Sequence, residues 1–475
     1  MNPLPRWIRF HGEWLSAFFG TLLVAASALA DQTVINKPIV IPLERVTVGR
    51  GNLSYEKLGI WASIGKGTPQ LFEFDTGGDG FYAVHAPGIT PWWGPEIVPS
   101  ARGFKQTYSS GYVYTGRIVT GAVSIFDSEF ATKPLITTFP GVSVGLTKKI
   151  INSKDKSVFW TPDAQQDTSP PIDSTFYGDF GVSLVNKGLF KSQQTATNVF
   201  AQLRYGPGVH AGFVVHAGPH GSRNASYVQV GITPAEMAAF PIQIPMESST
   251  AAPFPHSGLP SYGLQLFKST LRFQLGAESL TKDMQTTVDT GNQTPVIFTT
   301  PTDTSSEKFG TTRPDGSQIL TPGSSLEVAL KSGPTIFGLT AGLVTGVNKV
   351  EFGSKTKKES FNIGLPFFNQ YIVAFDLTTG TIGLSPQPPD PLQAILSGPT
   401  VRHATQARFT LTGRASGEGL RGVLVQVNGR KLRATGSAKW RATITLQPGR
   451  NIVKAIALGA DGAVGQAALS LVILP

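Results

Sequence analysis

Two aspartates hold the most chemical promise in this chain. Asp75 and Asp289 each open an Asp-Thr-Gly triplet, the first in "LFEFDTGGDGFY" (71–82) and the second in "MQTTVDTGNQTPVIF" (284–298). Each triplet follows an alternating apolar segment and leads into Gly and polar residues, then apolar ones again. That pattern predicts a strand, a tight turn at Gly77 or Gly291, and a further strand. A carboxylate at such a turn has two uses. Alone, it caps the turn by accepting nearby backbone donors. Paired with a second carboxylate on a matching turn, it supports general acid–base chemistry at a lobe interface. The two triplets lie 214 residues apart, far enough for each to belong to its own lobe.

The elements that must position these acids are strands. A chain of 475 residues exceeds one core, so two or three domains are expected. Gly (53) and Pro (35) are abundant. Short runs rich in Val, Ile, Thr, Phe and Tyr recur between them, which predicts a mainly β protein. There are no cysteines, so disulfides and metal-thiolate sites are excluded. His210, His216 and His220 are close in sequence, but they lie around "GFVVHAGPHG", which reads as a strand running into a turn. Turn and surface histidines are the better reading there than a metal site. No metal and no cofactor are expected.

The N-terminus reads as an address. Arg6 and Arg9 precede an apolar run, Trp14–Ala26, and Ala28-Leu29-Ala30 supplies small residues at a cleavage site. This predicts a Sec-type signal peptide over 1–30 and a periplasmic or secreted protein. The rival, an uncleaved anchor, needs roughly 20 apolar residues, and this run is shorter. No integral membrane segment is expected after signal cleavage.

Several ordered segments resemble the pepsin-like aspartic proteases, over roughly Leu53 to Pro386. "GIWASIGKGTPQLFEFDTG" (59–77) is similar to that family's first strand pair and catalytic loop. "TYSSGYVYTG" (107–116) resembles the flap hairpin, with Tyr108 in the place of the flap tyrosine and Gly111 in its turn. "YGDFGVSLV" (177–185) resembles the apolar-Gly segment that threads the first catalytic loop. "FNIGLPFFNQYIVAFDLTTGTIGLSP" (361–386) resembles the close of the C-terminal lobe. The resemblance implies a bilobal double-β-barrel body and an aspartic endopeptidase. Asp75 and Asp289 would be the dyad, sharing one proton because two close carboxylates do not both ionise easily. Thr76 and Thr290 would lock the loops, Gly77 and Gly291 would permit the turns, and Tyr108 would close over a polypeptide substrate.

Three positions depart from the family pattern. Gly78 and Asn292 follow the triplets where hydroxyl residues are usual, and Tyr82 stands where a tryptophan often supports the flap tyrosine. A lost donor removes a term that favours ionisation, so the expected activity optimum is about pH 4–6, less acidic than that of a typical pepsin. The stretch from Asp31 to Asp75 is too short for a full prosegment as well as the start of the lobe, so no classical zymogen step is expected.

Charge divides the chain again. Of a net +10, residues 391–475 carry +9 and residues 1–30 carry +1, leaving 31–390 balanced. "SPQPPDPLQ" (385–393) is a Pro-rich joint. The expected order is a signal peptide (1–30), an N-terminal lobe (31–205), a C-terminal lobe (206–388), a linker (389–397) and a basic module (398–475). The module alternates apolar and polar residues in short runs, predicting a small β-sandwich that resembles the immunoglobulin-like modules of bacterial exported enzymes. Its cations suit an anionic cell-surface polymer, and a solvated basic spacer is the plainer alternative. Nucleic acid is not expected as a partner, because no aromatic-basic platform is present. The leading expectation is an exported aspartic endopeptidase. The alternative is a pepsin-fold binding or inhibitor protein that has lost catalysis, an alternative kept alive by Gly78 and Asn292.

Overall fold

The computed structural model describes residues 32–475 apart from 50–53, 85–92, 109, 163–169, 187–195, 219–225, 265, 332, 354–355, 389–392, 398–400, 418 and 460–463. The expected signal peptide and His220 therefore lie outside the described residues. The protein is mainly β. Among the described residues, no helix is long and apolar enough to cross a membrane. The chain divides into two compact units, a body that ends at Pro386 and a module that begins at Gln387.

The strands of the body follow from period-two patterning. Phe267–Leu275 buries Phe267, Ser269, Leu271 and Phe273, while Lys268, Arg272 and Gln274 face water. Short apolar strands such as Phe81–Val84 are buried on both faces. The foundation is a run of six antiparallel strands in the spatial order Ile242–Pro245, Thr381–Pro386, Tyr371–Asp376, His210–His216, Ser226–Ile232 and Ile39–Val48. It joins the beginning of the body to its end. From Ile39–Val48 the sheet continues through Tyr55–Ile64 and Gln70–Asp75 into a first lobe. A separate nine-stranded sheet, within 267–362, builds a second lobe.

One hydrophobic core runs through the whole body, from Ile35 to Leu384. Phe180, Phe200, Phe213 and Phe375 form a chain of ring contacts at 5.7, 5.5 and 4.9 Å, linking the first lobe to the shared sheet. The expected boundary at 205/206 falls just before one of the shared strands, His210–His216. The first shared strand, Ile39–Val48, comes from the sequence assigned to the N-terminal lobe. Neither lobe is a self-contained half of the sequence, because strand pairing across the body outweighs chain order.

Part of the expected linker is structured. Gln393–Leu396 is a strand, antiparallel to Arg408–Ser416, so the joint is shorter than its prolines suggested. The module's strands run in the order Arg430–Arg433, Leu420–Val427, Gly449–Gly459, Val464–Leu474, Gln393–Leu396, Arg408–Ser416 and Lys439–Thr445. Leu411 and Trp440 from one end of that order share a core with Val423 and Val425 from the other. The sheet therefore folds over on itself.

Candidate active site

The same strand unit occurs twice. In the first lobe, Gln70–Asp75 runs parallel to Gly178–Gly181, pairing Glu73 with Asp179 and Asp75 with Gly181. Gly178–Gly181 is in turn antiparallel to Phe81–Val84. In the second lobe, Glu278–Thr287 runs parallel to Ser360–Asn362, pairing Thr287 with Asn362, and Ser360–Asn362 is antiparallel to Val296–Phe298. Each Asp-Thr-Gly turn is thus threaded by a later strand. Asp179 and Asn362 occupy equivalent places, each opposite the residue two before its aspartate.

The two turns clasp each other. Thr76 N–H donates to Thr290 Oγ1 at 3.0 Å, and Thr290 N–H donates to Thr76 Oγ1 at 3.0 Å. The hydroxyls pass the chain on, Thr76 to the carbonyl of Val288 at 2.9 Å and Thr290 to the carbonyl of Phe74 at 2.8 Å. All four groups are satisfied reciprocally, which fixes the loops against each other. Each carboxylate then lies over the opposite turn. A Cβ on Gly77 would stand 2.4 Å from Cγ of Asp289, and a Cβ on Gly291 would stand 2.4 Å from Cγ of Asp75. No side chain fits at either position. Asp75 Oδ1 accepts Gly77 N–H at 2.7 Å, and Asp289 Oδ1 accepts Gly291 N–H at 2.8 Å. The expected dyad residues and their Thr and Gly supports are therefore brought together.

The symmetry ends at the outer oxygens. Asn362 Nδ2 donates to Asp289 Oδ2 at 2.6 Å, and its own Oδ1 accepts Gly364 N–H at 3.1 Å. On the first side the equivalent residue is an acid. The space a side chain on Gly78 would fill is flanked by Asp179 Oδ2, 2.7 Å from the Cβ position, and Asp75 Oδ2, 2.9 Å from it. Burial, the Asp289 carboxylate and the Asp179 carboxylate hold Asp75 well above the usual carboxylate range. Burial first, and then Glu73, does the same to Asp179. Asp75 is thus pushed toward its neutral form, while an amide donor serves Asp289.

The expectation for the two residues after the triplets is corrected by half. Asn292 does not serve Asp289: its Oδ1 accepts Thr294 N–H at 3.5 Å and its carbonyl accepts Leu365 N–H at 2.7 Å. The second aspartate regains a donor from Asn362, and only the first lacks one. Asn362 and Asp179 are the site residues that sequence reasoning missed. Their signal was present: a polar residue inside an apolar strand, followed two residues later by Gly in both "DFG" and "NIG".

Over the first aspartate lies the hairpin of Val98–Thr107 and Tyr112–Gly121. Its turn closes with Gly111 N–H donating to the carbonyl of Tyr108 at 3.0 Å, and Gly111 has φ +92°, a conformation that suits glycine. Tyr108 donates its hydroxyl to Asp179 Oδ2 at 2.7 Å. Its ring packs on Tyr114 at 4.7 Å, while Tyr82 packs on Phe104 at 4.9 Å. The support expected of Tyr82 thus falls to Asp179. A second tether joins hairpin to floor, Gln106 Nε2 to Asp79 Oδ2 at 3.3 Å. Behind the site, Lys57 is buried between Glu73 at 2.8 Å and Asp173 at 2.9 Å.

The histidines go separate ways. His210 Nδ1 meets the fully buried Asp376 at 2.7 Å, and His216 stacks on Tyr227 at 4.7 Å.

No protein-family model matches the chain, and no curated protein sequence matches it. Among solved structures, the aspartic proteinase from Irpex lacteus is similar, with 14% sequence identity, a TM-score of 0.45, and 74% of this chain and 98% of that chain covered. At that distance the site's own geometry, not the likeness, carries the functional reading.

Proposed function

We infer that the body is an aspartic endopeptidase. The observation that carries this reading is the reciprocal clasp, which sets each carboxylate over the opposite glycine, while Asn362 on one side and Asp179 on the other give the two acids unlike surroundings. Unlike surroundings are what acid–base chemistry needs of two like groups. Asp289, with its amide donor, takes a proton from a water that attacks the peptide carbonyl carbon. Asp75, holding the shared proton, gives it to the carbonyl oxygen. The C–N bond of the tetrahedral intermediate then breaks as the proton on Asp289 passes to the leaving amine and one hydroxyl of the intermediate returns a proton to Asp75. Closure of the hairpin excludes bulk water and strengthens the local electrostatics.

Incubation with an unfolded protein across pH 3–7, with and without pepstatin, tests the reading. The expected result is pepstatin-sensitive cleavage with an optimum near pH 4–6, abolished in Asp75→Asn. Absence of such cleavage leaves the inactive binding protein as the better account. Export and the missing zymogen step belong to the same proposal. Protein recovered from outside the cytoplasm should begin at Asp31 and be active without an internal cut.

The basic module has a role of its own in this reading, as an anchor on an anionic cell-surface polymer. Arg408, Thr410, Thr412 and Arg414 are exposed on one strand, and Lys439, Arg441, Thr443 and Thr445 on its neighbour. Arg414 and Lys439 face each other directly across the pair. Like charges placed so are unfavourable, and an anion relieves them. Retention on immobilised lipopolysaccharide that falls with salt, and falls further in Arg414→Gln/Lys439→Gln, is the expected result. Retention unchanged by either would remove the anchor.

A further inference from the structure

Asp179 is an acid that the proposed chemistry does not use. It is 4% exposed, on a strand whose other members are Gly178, Phe180 and Gly181. Its Oδ2 accepts the Tyr108 hydroxyl, and its Oδ1 is buried with no hydrogen-bond partner among the described residues. Its neighbourhood is acidic. Glu73 and Asp75 lie on the parallel strand, and the Asp289 carboxyl is within electrostatic reach. Lys57 is the cation within range, and its ammonium is already engaged by Glu73 and Asp173. A buried carboxylate is stable only when paired or neutral. Burial and the acids around it push it toward the neutral form, and its one donor among the described residues is a phenol on the tip of a hairpin.

We propose that Asp179 selects a cationic residue in the substrate, so that a Lys or Arg side chain of the bound polypeptide enters where the Tyr108 hydroxyl now rests and pairs with the carboxylate beside Asp75. The inference rests on the endopeptidase reading and names its substrate class. Lifting the hairpin to admit a polypeptide removes Tyr108 and leaves both oxygens of Asp179 unserved. An apolar side chain in that place strands a buried polar group, which is costly. A neutral hydroxyl or amide serves one oxygen. An ammonium with three donors, or a guanidinium with five, serves both and brings the compensating charge. As the cation enters, the proton that Asp179 holds in the empty site passes to solvent.

The test uses two reduced-bond peptides that differ only in carrying Lys or norleucine at the residue preceding the uncleavable bond. Wild-type protein should bind the Lys peptide about tenfold or more tightly at pH 6, with the ratio rising with pH. In Asp179→Asn, which keeps an acceptor for Tyr108, the ratio should fall toward one, and in Asp179→Leu it should reverse. Cleavage of an unfolded protein by wild type should be enriched after Lys and Arg. Equal binding of the two peptides by wild type, or a ratio unchanged in Asp179→Asn, overturns the inference. Pepstatin-sensitive cleavage without enrichment after Lys and Arg overturns it while leaving the endopeptidase reading intact. Selective binding of the Lys peptide without any cleavage supports it and overturns the catalytic reading instead. Binding of neither peptide overturns both.

Discussion

The two halves of the site share a backbone and differ in one decisive atom. Opposite the residue two before each aspartate stands a short polar side chain, Asp179 on the first side and Asn362 on the second. The two are nearly the same size. Asn362 presents an amide that donates to Asp289. Asp179 presents an oxygen where that amide would be, close to Asp75, and turns to Tyr108 for its donor. The frame is therefore symmetric while the charge distribution is not. Symmetry comes from backbone pairing, the reciprocal threonine clasp and two glycines that admit the opposite carboxylate. Asymmetry comes from an N-for-O exchange, which gives Asp289 a donor and adds the Asp179 carboxyl to the burial and the Asp289 carboxylate that already raise Asp75.

The largest expected effects attack the frame. Gly77→Ala and Gly291→Ala each drive a methyl into the opposite carboxylate, at 2.4 Å from its Cγ. Both should lower kcat/KM at least about 10³-fold, on the scale of losing an acid–base partner. If the frame is symmetric, the two losses should match within an order of magnitude. Kinetics on both variants, with folding checked by circular dichroism, would expose an inequality and so break the first half of the comparison.

The next effect attacks the asymmetry from the second side. Asn362→Leu removes the donor to Asp289 Oδ2 and leaves that oxygen unserved in a buried place. Loss of one charge-assisted hydrogen bond at the reacting group should lower kcat about 10²-fold. KM should change far less, because the amide touches the carboxylate and not the substrate. A variant with wild-type kcat would show that Asn362 does not set the charge of the pair.

Much of this site was legible in the sequence. The triplets at 75 and 289 and their turns announce themselves through local pattern, a strand followed by glycine, and the hairpin with Tyr108 is marked by the family resemblance. What stayed hidden depends on pairing between distant strands. Asp179 and Asn362 are 104 and 73 residues from the aspartates they serve, and nothing local ties them to those turns. The same cause hid the shared six-stranded sheet, whose strands are drawn from the beginning, middle and end of the body. The Pro-rich joint misled at its C-terminal edge for a different reason. Residues 393–396 gain a strand by pairing with 413–416, a partner that composition does not reveal.

The smallest effect is the most discriminating, because it makes the two sides alike. Asp179→Asn places an amide beside both aspartates. In wild type, burial and the acids Glu73 and Asp289 hold Asp179 above the usual range, with Tyr108 and Lys57 pulling the other way. A carboxyl whose folded value is raised stabilises the fold fully only below its unfolded value of about 3.9, and that contribution is lost as pH rises through the folded value. Removing the group should therefore leave stability below about pH 3.5 unchanged and raise it at pH 7, read from denaturant unfolding at the two pH values. Activity should respond in the same sense. With no second carboxyl beside it that can ionise, and with an amide donor within reach, Asp75 should release its proton more easily. The alkaline limb of the kcat profile should then move about one pH unit toward acid. A variant that is no more stable at pH 7 and whose alkaline limb stays in place would show that Asp179 sets neither, and that Asp75 holds its proton through burial and Asp289 alone.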